Sequence, residues 1–217
     1  MDFRTARRRP HVCVRRTRFL GNQGPGWQSA VPVADRSSRL VEGPWHGAYV
    51  SRERILKTQR LVATSWLATD VDDLSVVHSD DETMRFVRHG RPETRAETAE
   101  LINQYIAEHA ATGFTKWRLA DLNDQLVGRA GFGSLRDGRE LGYTIRRDLW
   151  GQGLATEISS ALVTWHLANA AEHPLYAHVA VANPASRRVV EKIGFELVGQ
   201  EEYVGVHCDL FQLCVAS

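Results

Sequence analysis

Between residues 114 and 147 the chain carries three apolar runs, FTKWRLADL, QLVGRAGFGSL and RELGYTIRR, separated only by the turn pairs Asn123-Asp124 and Asp137-Gly138. Links this short cannot make the crossover that parallel neighbours require, so the spacing predicts an antiparallel meander. The next stretch changes character. After the glycine pair of RRDLWGQGLATE, residues Leu154, Ile158, Ala161, Leu162, Trp165 and Asn169 recur at helical spacing, and LYAHVAVA then reads as a strand. A helix between LGYTI and this strand makes the two parallel neighbours in a strand-helix-strand unit. A meander that continues into a parallel unit places the chain in the mixed-sheet α/β class.

Flanking segments fit the same plan. TQRLVATSWL reads as a first strand, with Leu61 and Ala63 on one face and Val62 and Thr64 on the other, and Asp70 begins a short helical piece, VDDLSVVHS. In PETRAETAELINQYIAEHAATG, Thr94 and Glu97 have the spacing of a capping box; Leu101, Ile102, Tyr105, Ile106 and His109 mark one face, and Gly113 closes the helix. NPASRRVVEKIGF predicts a second late helix with Asn183 as N-cap, Pro184 at its first position and Gly194 at its stop. FELVG and EYVGVHCDLFQLCV supply the last two strands.

The chain has 217 residues, enough for one domain with some extra sequence. Residues 1 to 60 hold thirteen Lys and Arg against four Asp and Glu, whereas the remainder holds fourteen against twenty-two. Together with Gly and Pro interruptions and no sustained period, this divides the chain into a basic leader over 1–57, expected to be disordered with a targeting peptide or a polybasic binding arm as the alternatives, and a folded domain over 58–217. Removing residues 1 to 55 is expected to leave activity intact. An acidic domain argues against a nucleic-acid grip there. No apolar run approaches the length of a membrane-spanning helix, so no membrane contact is expected. Cys13, Cys208 and Cys214 are odd in number and lack metal-ligand or redox spacing, which points to a reducing cytoplasm. His207, Cys208 and Asp209 alternate sides of a strand, so no metal site is expected.

The glycines at 151 and 153 allow backbone amides to converge at a helix N-terminus, where the macrodipole favours an anion such as a pyrophosphate. A simple turn into the helix would use glycine equally well. Two familiar phosphate loops are excluded: the third position after Gly153 is Thr156 rather than glycine, and no Gly-Lys-Ser/Thr follows.

WGQGLATE resembles the acetyl-CoA pyrophosphate loop of the GNAT N-acetyltransferases, Gln/Arg-x-x-Gly-x-Gly/Ala, with Trp150 in place of the first polar residue. TQRLVATSWL, QLVGRAGF, ELGYTIRRDLWGQGLATE and NPASRRVVEKIGF occur in the order found in its RimJ/RimL-type branch, over residues 58 to about 200. The resemblance implies the GNAT fold, with a splayed pair of parallel strands, and acetyl-CoA as co-substrate. The amides of Gly151, Gln152, Gly153, Leu154 and Ala155 would hold the pyrophosphate, with Thr156 beside them. The backbone of Tyr143, Thr144 and Ile145 would run beside the pantetheine arm, and Asn183 would contact it while capping its helix. Arg146 or Arg147 would reach the phosphates; alternation sends them to opposite faces.

Acetyl transfer needs a neutral amine, a stabilised oxyanion and discharge of a thiolate. An amide near Ile145 or Arg146 is the expected oxyanion donor, and Glu140 the candidate base, against a reading as a solvated strand-end charge. Many relatives use a tyrosine seven residues after the asparagine equivalent to Asn183; here that residue is Val190. Ser186 therefore becomes the candidate for the thiolate, against a reading as reinforcement of the helix start. His178 is read as a satisfied core or surface histidine, Glu157 as a response to the helix dipole, and the cysteines as inert. Trp150 covers the loop or packs structurally. The resemblance to the RimJ/RimL-type branch implies a protein N-terminal α-amine as the favoured acceptor, as on a ribosomal protein. A small-molecule amine (polyamine or aminoglycoside) or an acyl-CoA-binding module without chemistry are the alternatives, and a homodimer is open.

Overall fold

A computed structural model describes residues 52–214. Expectations for the basic leader up to residue 51, Cys13 included, lie outside the described residues. The strands are β1 (Arg54–Lys57), β2 (Leu61–Thr64), β3 (Lys116–Asp121), β4 (Leu126–Leu135), β5 (Gly138–Ile145), β6 (Leu175–Ala180), β7 (Phe195–Tyr203) and β8 (Val206–Leu213). The helices are α1 (Val71–His78), α2 (Asp81–Met84), α3 (Arg95–Thr112), α4 (Leu154–Ala170) and α5 (Pro184–Lys192). All eight strands form one mixed sheet in the order β1-β2-β3-β4-β5-β6-β8-β7. The α/β expectation holds, with β3, β4 and β5 as the antiparallel meander and β5 parallel to β6.

The parallel pair is short. β5 and β6 share only Arg139↔Leu175 and Glu140↔Tyr176, and beyond that the strands part. From Leu141 to Ile145 the outer edge of β5 is unpaired by β6, which instead continues against β8. Two apolar clusters flank the sheet. One gathers Trp117, Phe132, Ile158, Leu162 and Val190 under α4 and α5; the other gathers Trp66, Leu74, Leu101, Ile102 and Tyr105 under α1 and α3.

Local signals are realised as physical caps. The Thr94 side chain accepts from the Glu97 amide at 3.2 Å, the Glu97 carboxylate accepts from the Thr94 amide at 2.7 Å, and Gly113 ends α3 at φ 76°. Asn183 accepts from the Ser186 amide at 3.1 Å, with Pro184 at the first helical position.

Four differences have local causes. Residues 54–57, assigned to the leader, pair with β2 as an edge strand, and Arg52 forms an ion pair with the buried Asp70. The fully buried face of α4 also takes in Ser159, His166 and Ala170; Trp165 is partly buried and packs on Trp117 and Phe132 as expected, whereas Asn169 is exposed. His166 turns inward because its Nε2 donates to the His173 carbonyl at 3.0 Å, fastening the link to β6. The turn between β4 and β5 centres on Arg136 and Asp137, leaving Gly138 as the first strand residue. Strand β7 extends beyond FELVG to Tyr203, so that Val204-Gly205 makes a tight hairpin to β8.

Candidate active site

A cleft of about 530 Å³ opens along the free end of β5 and the start of α4. It is lined by Tyr143, Thr144 and Ile145 from β5 and by Gly151, Gly153, Leu154, Ala155 and Thr156 from the loop and helix start. Asn183 and Ser186 close it from α5. The structure thus brings together most of the residues singled out from the sequence. Gly151 and Gly153 adopt φ of 74° and 78°, a region that disfavours side chains. A Cβ on Gly151 would meet no protein atom within 4 Å, so backbone conformation, not protein packing, demands glycine there. Among the described residues, no acceptor is bonded to the amides of 151 to 155, as expected ahead of the first helical turn.

The loop is held from behind. Glu157 accepts from the Thr58 hydroxyl at 2.6 Å, from the Arg60 amide at 2.9 Å and from Arg60 Nε at 2.6 Å. Arg60 Nη1 then donates to the Gln152 carbonyl at 3.0 Å. The dipole therefore explains only part of Glu157: the side chain ties the β1–β2 turn to the loop, and Gln152 is engaged there rather than on the cleft wall. Trp150 donates its indole N–H to the Ile145 carbonyl at 2.8 Å while lining the cleft, so it does both jobs that the sequence left open.

Arg146 is not brought to the cleft. Its amide donates to the Val127 carbonyl at 2.9 Å and its guanidinium to the Leu126 carbonyl at 3.0 Å and to Asp148 at 2.7 Å. Arg147 lies 3.7 Å from Asp80. The cations that do line the cleft are Arg188 and Lys192, one turn apart on α5. Their i, i+4 spacing was the sequence signal that could have found them. Because N–H directions alternate along a strand, occupation of the Arg146 amide leaves the Ile145 and Tyr143 amides facing the gap beside β6.

Ser186 Oγ receives two hydrogen bonds, from the Tyr143 phenol at 3.2 Å and from Asn183 Nδ2 at 3.2 Å. A hydroxyl oxygen has two lone pairs, so its own proton must point to a third partner. That proton has no acceptor among the described residues, and Ser186 lines the cleft. Burial raises the Tyr143 phenol above its ordinary value, which keeps it a donor. Val190 is buried in the α4–α5 core, so the phenol comes from β5 instead of α5.

A second cleft, about 500 Å³, meets the first at Tyr143 and Thr144. Glu140 lies in it, buried rather than solvated, and accepts from Lys116 at 3.2 Å and Tyr203 at 3.2 Å, with His178 Nδ1 at 3.1 Å. Burial alone would raise its carboxyl, but Lys116 and His178 hold it down to about 2. Lys116 reaches across because Gly142 is bare: a Cβ there would lie 2.5 Å from Lys116 Cε. His178 is a satisfied histidine, 2.8 Å from Glu201 on its other side and stacked on Tyr203 at 3.8 Å. Burial would lower its pKa, but the bonds to Glu140 and Glu201 win and raise it. Cys208 is pushed by burial to about 11.

Residues 60–196, more than half of the chain, match the family model of the GNAT acetyltransferase domain. The chain belongs to the GNAT acetyltransferases. It is an acyltransferase of the N-acetyltransferase type, in a family whose enzymes use acetyl-CoA. It is similar to the uncharacterized N-acetyltransferase YoaA of Bacillus subtilis (strain 168), 26% identical over 149 residues, covering 67% of this chain and 84% of that one. Among solved structures, a GNAT-family acetyltransferase from Bordetella pertussis matches with a TM-score of 0.64 at 22% identity, over 74% of this chain and 99% of that one. RimL, a ribosomal L7/L12 alpha-N-protein acetyltransferase, matches in complex with coenzyme A with a TM-score of 0.64 at 17% identity, over 75% and 98%. A chimera of the spermidine N-acetyltransferase SpeG from Vibrio cholerae matches with a TM-score of 0.56 at 19% identity, over 70% and 92%. These structural likenesses establish the fold. Among the described residues there is no group of three or more His, Cys, Asp or Glu that could hold a metal, and no helix long and apolar enough to cross a membrane.

Proposed function

We propose that this GNAT protein moves the acetyl group of acetyl-CoA directly onto a protein N-terminal α-amine, in the cytoplasm, with no covalent enzyme intermediate. The single observation that carries this reading is the meeting of two clefts at Tyr143, where β5 has lost its partner strand.

The first cleft suits coenzyme A. Unbonded amides at 151 to 155 and the start of α4 would hold the pyrophosphate, with Arg188 and Lys192 adding positive charge. The free edge of β5 would take the pantetheine arm as an added strand. Acetyl-CoA supplies the activated acyl group when bound. The Ile145 amide, directed into the gap, is the donor for the oxyanion; the Arg146 amide is already used by β4. Ser186, with both lone pairs filled, directs its proton at the departing thiolate.

The second cleft favours an α-amine over the other acceptors. Glu140 at about 2 is too weak a base to deprotonate an amine, and both ring nitrogens of His178 are taken up by the carboxylates of Glu140 and Glu201. An α-amine, with a pKa near 8, already has a neutral fraction in solution, whereas a lysine amine near 10.4 has almost none. A polyamine would need unpaired carboxylates. Of the two in this cleft, Glu140 is neutralised by Lys116 and His178, and Glu108 accepts from the Thr115 hydroxyl at 2.8 Å while sharing the lining with Arg88 and Arg129.

The test is release of free CoA from acetyl-CoA in a screen of N-terminal peptides, spermidine and aminoglycosides, beside calorimetry of acetyl-CoA binding. Peptides should turn over fastest. Turnover confined to spermidine would replace the acceptor, and absence of heat with acetyl-CoA would remove the whole reading.

A further inference from the structure

Among the described residues, Arg129 is a buried cation that the acetyl-transfer reading leaves unused. It sits mid-strand on β4, paired across the sheet with Arg118 on one side and Thr144 on the other, and is only 3% exposed. Its Nε donates to His78 Nε2 at 3.3 Å, and the guanidinium lies 5.8 Å from the Tyr105 ring centroid. The terminal nitrogens hydrogen-bond to no group among the described residues, yet the side chain lines the second cleft. A buried cation with open donors is costly unless something satisfies them.

The neighbourhood does not neutralise it. His78 accepts through Nε2, so its proton is on Nδ1, 3.0 Å from Glu93 Oε2, and burial lowers its pKa and keeps it neutral. Glu93 is also paired with Arg88 Nε at 2.6 Å. Within this cluster one carboxylate, Glu93, stands against two guanidiniums; both guanidiniums line the cleft, where Glu108 is taken up by the Thr115 hydroxyl. What faces the cleft is the pair of terminal nitrogens on Arg129, open to a ligand.

We infer that Arg129, supported by Arg88, is a carboxylate-binding site, and that the acceptor carries a carboxylate a few bonds from its reacting amine. This rests on the reading that the second cleft receives the acceptor. Spacing supports it: Thr144, the partner of Arg129, adjoins Ile145, whose amide faces the gap. One to two strand widths, about 5 to 10 Å, then separate the Arg129 backbone from the reacting edge, and its side chain lines the cleft between them. That span matches the distance from an α-amine to an acidic side chain on the first or second residue of a peptide. A planar guanidinium with two open N–H groups is the donor geometry that a carboxylate fits.

The experiment measures binding and turnover separately on the full chain. Amidated tetrapeptides with Asp or Glu at the first or second position are titrated by calorimetry into protein saturated with CoA, beside their Asn and Gln counterparts. A free amino acid and its amide test the α-carboxylate as the source. The acidic peptides should bind about 10- to 100-fold more tightly than the amide-bearing ones. In Arg129→Gln the acidic-to-neutral ratio should fall to near one, and Arg129→Lys should restore part of it. A wild-type preference below about threefold overturns the inference, as does an unchanged ratio in a folded Arg129→Gln protein. A preference for the free amino acid alone moves the carboxylate to the backbone terminus and keeps the site. If Arg129→Gln does not fold, the wild-type ratio decides by itself. Binding without CoA release on any amine would instead strike the acetyl-transfer reading and leave the carboxylate site standing.

Discussion

The Tyr143 phenol donates a 3.2 Å hydrogen bond to Ser186 Oγ across the gap between β5 and α5. With Asn183 filling the second lone pair, the serine proton is directed into the cleft. Ser186→Ala should lower kcat by about 10- to 100-fold with little change in acetyl-CoA affinity. Tyr143→Phe, which leaves the serine but frees a lone pair, should lower it less. Steady-state kinetics with calorimetry of acetyl-CoA binding checks both; a fall in affinity with kcat unchanged would assign Ser186 to binding alone.

Glu157 and Arg60 hold the glycine loop from outside the cleft. Glu157→Ala should raise the KM for acetyl-CoA by about fivefold to tenfold while kcat changes little, since uniform binding is what such a positioning residue supports. Glu157→Gln should recover part of the loss. A kcat change without a KM change would contradict the assignment.

The Glu140 network sets the pH dependence of stability. Its carboxyl is held at about 2, below the ordinary 4.5, so its contribution is present above pH 4.5 and is lost as pH falls towards 2. That contribution is about 3 kcal/mol. His178 has the opposite sign: its pKa is raised above 6.5, so its contribution is complete below that value and declines as pH rises through the raised pKa. Thermal melts across pH should show both limbs, and Glu140→Gln should flatten both while lowering stability at neutral pH.

Relative to removal of residues 1–51, removal of 1–57 should lower stability by a further ~3 kcal/mol, because the buried Asp70 loses Arg52 and the sheet loses β1. A cut after residue 55 falls within β1 and should behave like the longer one. Chemical denaturation of the truncated chains measures the difference.

Much of the site was legible before the fold. Glycines at 151 and 153, the Asn183-Pro184 helix start and the short turns of the meander are local devices, whose meaning depends on a few neighbouring residues and on backbone geometry. Glu140 illustrates the opposite. Its strand position was readable, but its burial and its pairing with Lys116, Tyr203 and His178 come from three other strands, and they turn a candidate base into a fixed anion.

Arg146 shows the same limit from the other side, since only the register of β4 against β5 reveals that its amide is already bonded. The sequence by itself determined the order of elements, the capped helices and the amide-bearing loop, because propensity and hydrogen bonding act over a few residues. The tertiary structure alone decided which phenol meets Ser186, which amide faces the gap and which guanidinium keeps its terminal nitrogens open to the cleft. Those depend on contacts between residues far apart in the chain, set by register and burial.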